Sequence, residues 1–315
     1  MMRDLRYAFR TLLTTPFVNA VAILSLALGI GANAAIYSLF DQLLLRPLPV
    51  AAPDELVNLE LPGPIQGSDS CNQSGCGNGI IWSYPMFRDL EREQSALAGI
   101  AGHRIFGASI ALGDEPTVGE GIYVTGAYFS TLGLRPALGR LLQVRDNEPG
   151  ADNMVAVISH HFWMDRFGGK PDALDQLLRL NGRAFTIVGV VPAGFEGNTL
   201  GARPLVYVPM QSRTYIGTYE GLENRRDYWV YVFGRRKQGM SMQATKAGLD
   251  GVIAPILADV EAPLQREMSA ATMERFKAKR VVVSRDARSQ STMQGEWTVP
   301  LTMLFSITAV VLLIA

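Results

Sequence analysis

The sequence predicts an α+β domain with two lobes, flanked by transmembrane α-helices. Two apolar segments without charged residues, one near each end of the chain, predict the helices. Between them, short runs rich in valine and aromatic residues alternate with stretches of helical periodicity. Such a mixture is typical of α+β folds.

The first apolar segment, Phe17–Leu39, has 23 residues and no charge. At a rise of ~1.5 Å per residue it spans ~34 Å, enough for a hydrocarbon core of ~30 Å. Residues 17–40 are therefore predicted as the first transmembrane helix, and residues 1–16 as an amphipathic segment in the cytoplasmic interface. The alternative is a signal peptide cleaved at Ala32-Asn33-Ala34, but the apolar run continues past that site to Phe40.

Arginines set the expected orientation. Arg3, Arg6 and Arg10 precede the first segment, whereas only Arg46 follows it closely. Because positive charge is enriched on the cytoplasmic side, the N-terminus is predicted to be cytoplasmic and residues 41–296 to lie outside the cytoplasm.

The second apolar segment occupies the end of the sequence. Val299–Ala315 is apolar to its last residue and has 17 residues, the lower limit for a membrane span. Residues 297–315 are therefore predicted as the start of a second transmembrane helix that is truncated.

Small and polar residues mark the first segment. Ala27, Gly31 and Ala35 recur every four residues, and such a strip favours close packing of helices in lipid. The alternative is that alanine and glycine are simply common in membrane helices. Asn19 and Asn33 are expected near the ends of the helix, within reach of interfacial water.

Several local signals predict elements of the intervening domain. A helix is predicted near Pro85, with apolar residues near one face (Met86, Phe87, Leu90 and Leu97). Ser159 is predicted to cap the helix written HHFWMDRFGG. Asn181-Gly182 between two apolar runs predicts a β-hairpin with a type I′ turn, because both turn positions need positive φ. Another helix is predicted from Ser241.

The order of these elements predicts two lobes. Strands at His103–Leu112 and Glu120–Val124 precede a strand-rich middle section, and strand–helix–strand patterns lie on both sides of it. Residues 41–124 and 220–296 are predicted to form a membrane-proximal lobe, and residues 125–219 an inserted distal lobe.

The sequence has no recognisable enzyme motif. It lacks G-x-x-x-x-G-K-[ST], and Ser159-His160 lies outside any G-x-S-x-G elbow. His103, His160 and His161 do not have the spacing of metal ligands. We therefore predict no catalytic residues, no cofactor and no metal. The zero net charge also argues against nucleic-acid binding.

Two cysteines, Cys71 and Cys76, lie in the segment CNQSGCGNG. Outside the cytoplasm, such a close pair predicts a disulfide in a small loop. Two free thiols on a glycine-rich loop are the alternative.

Ordered blocks of the sequence resemble ABC-transporter permeases of the MacB/FtsX type, especially duplicated permeases of Acidobacteria. The blocks include DLRYAFRTLLTTPF, LSLALGIGANAAIYSLFDQLLLRPLP, SYPMFRDL, VTGAYFSTLGLRPALGR, VAVISHHFWMDRFGG and LRLNGRAFTIVGVVPAGFEG. The resemblance implies a MacB-type periplasmic core, in which a porter-like α+β lobe carries an inserted β-rich lobe. It also implies that this chain corresponds to the first part of such a permease.

The resemblance implies a conformational function in the bacterial inner membrane. Such permeases couple ATP hydrolysis by a cytoplasmic ABC ATPase to movement of their periplasmic domains. The expected partners are that ATPase, a second permease copy, a periplasmic adaptor and the lipid bilayer. The alternative is a two-helix membrane sensor or adaptor with a periplasmic ligand-binding domain.

Overall fold

The structure is a computed structural model that describes residues 16–40, 48–72, 79–113, 115–148, 154–199, 201–217, 222–284, 299–300, 302–308 and 310. The chain divides into two compact units. One comprises Met1–Arg46 and Gln294–Ala315, and the other comprises Pro47–Met293.

The described α-helices are α1 (Pro16–Phe40), α2 (Tyr84–Glu93), α3 (Tyr128–Leu132), α4 (His160–Phe167), α5 (Arg213–Ile216), α6 (Met242–Pro255) and α7 (Ala270–Lys277). A π-helical segment, Ile256–Glu261, continues directly from α6. Short 3-10 helices occur at Pro53–Glu55, Val144–Asn147, Pro171–Ala173, Met210–Ser212 and Ala262–Leu264.

The described strands are β1 (Leu56–Glu60), β2 (Ser68–Asp69), β3 (Ile81–Ser83), β4 (Leu97–Leu112), β5 (Glu115–Val124), β6 (Leu138–Gly139), β7 (Val155–Ile158), β8 (Leu177–Leu180), β9 (Arg183–Val190), β10 (Pro204–Pro209), β11 (Asp227–Arg236) and β12 (Val282–Ser284). They form one mixed sheet with the main order β12-β1-β11-β4-β5-β10-β7-β9-β6. Strands β2 and β3 pair with β11.

Part of this sheet closes on itself. β4 pairs with β5, β5 with β10, β10 with β7, β7 with β9, β9 with β8, and β8 with β4 again. Because the ring is closed, each of these six strands is paired with a neighbour on both of its sides. The long strand β4 belongs to both parts of the sheet, because its beginning pairs with β11 and its end pairs with β8.

The predicted hairpin is confirmed. β8 and β9 are antiparallel, with Leu180 opposite Arg183, and Asn181 and Gly182 have φ of 46° and 84°. A type I′ turn requires positive φ at both positions. The local turn chemistry therefore sets the register of this pair.

Serine caps begin four of the described helices, three of which the sequence predicts. Ser159 accepts a hydrogen bond from the Phe162 amide, and Ser241 accepts one from the Ala244 amide. Ser83 and Ser269 cap α2 and α7 in the same way. Each cap satisfies an amide at the start of its helix that has no partner within the helix.

The prediction that Leu97 lies on the first of these helices is wrong. Helix α2 ends at Glu93, and Leu97 is the first residue of β4. The Gln94 side chain accepts a hydrogen bond from the Leu97 amide, which fixes the turn between the two elements. Strands β4 and β5 also begin earlier than predicted, because the first part of β4 pairs with β11, and β5 pairs along its whole length with His103–Leu112 of β4.

Two hydrophobic clusters lie in the unit Pro47–Met293. One joins the sheet to α2, α6 and α7, which we call the helical layer; it includes Leu90, Leu97, Leu249, Ile253, Ile256, Leu257, Val230, Val232 and Val281. The other includes Tyr128, Phe129, Tyr207 and Phe233. Both clusters contain residues from either side of position 125. The division into a membrane-proximal and an inserted lobe stays a prediction.

The other unit contains α1. Pro16–Ser38 is long and apolar enough to cross a membrane, and it is the one such helix among the described residues. In the second apolar segment, residues 299–300, 302–308 and 310 are helical. Asn33 is half-buried and accepts a hydrogen bond from the Thr308 hydroxyl at 2.8 Å, so a contact with the other segment occupies it where interfacial water was expected.

Candidate functional site

The residues next to Cys71 are fixed on the sheet. Arg104 donates a hydrogen bond to the Ser70 carbonyl at 2.6 Å, and the Asn72 side chain donates one to the Ile105 carbonyl at 2.9 Å. Cys71 itself is exposed. Cys76 lies outside the described residues, so the disulfide stays a prediction.

The strip of small residues on α1 is exposed. Ala27, Gly31 and Ala35 are all accessible, and a Cβ added at Gly31 would meet no atom within 4 Å. A hydrogen bond with the second apolar segment is made by Asn33, which is not part of the strip. A packing role for the strip stays a prediction.

The histidines and Ser159 have structural surroundings. His103 is fully buried, and its ring lies 5.7 Å from that of Tyr231 and 6.1 Å from that of Tyr128. Ser159 caps α4, and the ring of His160 lies 5.4 Å from that of Trp163. In the part of the chain that the structure describes, no group of three His, Cys, Asp or Glu side chains is placed to hold a metal.

Charged residues from four parts of the chain converge beneath the helical layer. Arg225, just before β11, donates hydrogen bonds to Asp89 of α2 and to Glu261 at the end of the π-helical segment, both at 2.7 Å. Asp89 also accepts a hydrogen bond from Arg92 at 3.0 Å. Arg225 thus links two helical elements that are far apart in sequence. We call Asp89, Arg225, Glu261 and Lys279 the buried charge cluster.

Glu261 is the most enclosed member of this cluster. Its side chain is 0% exposed, and its Oε2 atom has no hydrogen-bond partner among the described residues. Burial raises the pKa of Glu261, although Arg225 and Lys279 act in the opposite direction. A buried carboxylate is costly unless its oxygens are paired. Arg225 pairs only one of them.

Lys279 completes the buried charge cluster from the segment after α7. It is 4% exposed, and burial lowers its pKa to about 8. Its ammonium lies 3.4 Å from the Pro64 carbonyl oxygen and 5.1 Å from the centre of the Phe276 ring. Attraction to Glu261 opposes the fall in pKa but does not cancel it. Burial therefore weakens proton binding by this lysine.

A groove lies beside the buried charge cluster, between α2 and α6. Its volume is about 600 Å³. Its lining is partly charged (Asp89, Arg92, Glu93, Arg225 and Asp259) and partly apolar (Val252, Pro255, Ile256 and Val260). Beside this groove, Arg225 joins α2 to the π-helical segment that follows α6.

Sequence reasoning did not identify the buried charge cluster. Glu261 lies in the run ILADVEAPL, where an acidic residue among apolar ones was a detectable signal of a buried charge. The cluster members Asp89 and Arg225 are 172 and 36 positions away from Glu261, and no local pattern links them.

Comparison with known proteins gives a family for most of the chain. The family model of the MacB-like periplasmic core domain matches residues 20–252. No curated protein matches the chain.

Two solved structures are similar at low identity. The periplasmic region of MacB from Actinobacillus actinomycetemcomitans is 13% identical, with 75% of this chain and 91% of that chain covered and a TM-score of 0.49. The extracellular domain of the noncanonic ABC-type transporter YknZ from Gram-positive bacteria is 14% identical, with 62% and 91% covered and a TM-score of 0.44. The family match itself spans well over half of the chain. The chain therefore belongs to the family defined by the MacB-like periplasmic core domain.

Proposed function

We propose that this chain is a permease subunit, or a part of one, of an ABC transporter of the MacB/FtsX type. The observation that carries the proposal is the family match over residues 20–252, which includes most of α1 and most of the unit Pro47–Met293. One chain thus joins an apolar helix of spanning length to a MacB-like domain.

The proposed work is mechanical. A cytoplasmic ABC ATPase hydrolyses ATP, and the permease, as a dimer, passes the resulting motion to its periplasmic domain and to a periplasmic adaptor. Continuous strand pairing from β12 to β6 supports this proposal, because a hydrogen-bonded sheet transmits displacement better than separate segments joined by loops. Arg225 adds a link between the helices that cover one face of the sheet.

The proposed location is the bacterial inner membrane, with a cytoplasmic N-terminus and a periplasmic unit Pro47–Met293. The asymmetry of arginines around α1 supports this orientation. An alkaline phosphatase fusion after the exposed residue Glu148 should be active in cells, because that enzyme requires the periplasm. Inactivity of this fusion, with activity of a fusion after Met2, would refute the orientation.

The mechanical function can be tested with a spin label. We choose Leu177→Cys, because Leu177 in β8 is 63% exposed, in a background with Cys71→Ser and Cys76→Ser. The full chain is reconstituted in lipid with a cytoplasmic ABC ATPase that co-purifies with it. Distances between labels on two copies should change when ATP and vanadate trap the ATPase.

The control is an ATPase variant that binds ATP but cannot hydrolyse it. With ATP present, the label-to-label distances measured with this variant should differ from those measured with the active ATPase. An unchanged distance distribution during measured ATP turnover would contradict mechanical coupling.

A further inference from the structure

The segment Ile256–Glu261 has an unusual backbone. It is π-helical and follows Pro255, the last residue of α6. Proline lacks an amide hydrogen and disturbs the regular helical ladder, and π-helical turns occur often at functional sites. The segment therefore interrupts the regular helical ladder; Ile256 and Leu257 anchor its start in the hydrophobic core, whereas Ala258, Asp259 and Val260 are exposed.

Electrostatic contacts hold this segment in place. Glu261, its last residue, is bound by Arg225 through one carboxylate oxygen. The other charged or titratable groups that interact with Glu261 are Asp89 from α2, Tyr228 from β11 and Lys279 from the segment after α7. Asp89 repels a charged Glu261, whereas Arg225 and Lys279 attract it. Burial outweighs this attraction, so the enclosed position favours the neutral acid.

The groove beside the segment provides room for movement. Pro255 and Ile256 line it together with Asp259 and Val260, all at or near the π-helical turn. Asp259 and Val260 are already exposed. Outward displacement of the turn would therefore bring Glu261 into contact with water without unfolding the sheet.

We propose that the segment Ile256–Glu261 is a proton-controlled closure. With Glu261 protonated, the segment stays packed against α2 and β11. With Glu261 ionised, the segment opens toward the groove, and water hydrates the carboxylate. Only the consequence of this inference rests on the proposed function. That consequence is that periplasmic pH sets the fraction of molecules in which the segment is closed while the domain moves.

The direction of the effect follows from linkage. In the closed segment, burial raises the pKa of Glu261, whereas an open and hydrated Glu261 has an ordinary carboxyl pKa. The closed form therefore binds protons more tightly, and protons favour closure. Between the two pKa values, the ratio of open to closed forms should rise up to about tenfold per pH unit.

Hydrogen–deuterium exchange of the full chain in lipid nanodiscs tests the proposal without any ATPase. Peptides covering residues 256–265 are followed from pH 5 to pH 8, with rates corrected for intrinsic exchange. In the wild type, the corrected opening constant should rise with pH by up to about tenfold per unit. In Glu261→Gln, which stays neutral, the opening constant should be independent of pH.

Glu91→Gln is the matched control. Glu91 lies on α2, and burial raises its pKa to about 7, so it titrates within the pH range of the experiment. This variant should keep the wild-type dependence. A flat wild-type profile would overturn the proposal even if Glu261→Gln failed to fold, and so would a dependence that Glu91→Gln abolishes. Failure of mechanical coupling to ATP would leave this result unaffected, so the two proposals can fail separately.

Discussion

Ser109 and Asn181 hold the tip of a hairpin on a neighbouring strand by two hydrogen bonds. The Ser109 amide donates to the Asn181 side-chain oxygen at 2.8 Å, and the Asn181 amide donates to the Ser109 carbonyl at 2.9 Å. The turn residue that reverses the chain between β8 and β9 thus also extends the pairing of β8 with β4. This contact lies where the ring of six strands closes.

The first prediction concerns Gly182 in this turn. Gly182→Ala should lower the free energy of unfolding by about 1 kcal/mol, because φ is 84° there and a Cβ disfavours that conformation. No atom lies within 4 Å of the added Cβ, so strain alone is tested. Urea unfolding provides the measurement.

Gly107→Ala is the matched control for Gly182→Ala. A Cβ at Gly107 also meets no atom within 4 Å, and this residue is in β4 without a positive φ. Its substitution should be neutral or slightly stabilising. Equal losses for the two variants would argue against backbone strain as the cause.

The turn was predictable because its cause is local. Asn181-Gly182 favours positive φ regardless of the rest of the fold, and serine caps at Ser159 and Ser241 act within one helical turn. The contact of β8 with β4 was not predictable, since it joins residues about 70 positions apart through pairing geometry. The end of α2 was misjudged because Leu97 fits a helical spacing as well as the strand that contains it.

The second prediction concerns Lys279. Its pKa is about 8 in the folded protein and near the ordinary 10.5 when unfolded, so between these values the unfolded chain binds more protons. The free energy of unfolding should therefore rise with pH across this interval, by up to about 1.4 kcal/mol per unit. Urea unfolding at several pH values from 7 to 10.5 measures the slope.

Lys279→Met should remove this part of the slope, because it keeps the apolar stem and lacks the ammonium. The control is Lys246→Met, since Lys246 is 43% exposed and paired with Asp250 on the surface of α6. The control should keep the wild-type slope. Identical profiles for wild type and Lys279→Met would contradict the assignment.

The third prediction concerns Cys71 and Cys76. In protein prepared from cells without reductant, the two should be joined, because the surroundings outside the cytoplasm are oxidising. Mass spectrometry should find the linked peptide two hydrogens lighter than its reduced form. Alkylation of both thiols before reduction would overturn the assignment.

The buried charge cluster could not be predicted from the sequence. Glu261, Arg225 and Asp89 are ordinary charged residues in the sequence, and only the fold buries Glu261 and Asp89 and leaves Arg225 half-buried between them. The fold tolerates these charges only because it places them next to their partners. Leaving one member without its partner would cost about 3–5 kcal/mol. A composition of 18% charged residues gave no indication of which would be buried.

The last prediction concerns the two apolar segments. Thr308 donates a hydrogen bond to Asn33 at 2.8 Å, and the Asn33 amide also donates to the Gly29 carbonyl at 3.1 Å. Polar side chains between membrane helices contribute roughly 0.6 kcal/mol, and they also fix which faces meet. In a background with Cys71→Ser and Cys76→Ser, the pair Asn33→Cys and Thr308→Cys should form a disulfide on mild oxidation.

The control pair is Ala35→Cys with Thr308→Cys. Ala35 lies about 3 Å from Asn33 along the helix axis but on a different, exposed face. It should therefore cross-link much less under the same conditions, as judged by the mobility of the chain on non-reducing gels. Equal cross-linking of both pairs would show that α1 rotates freely against the second segment, and it would contradict a fixed polar contact between them.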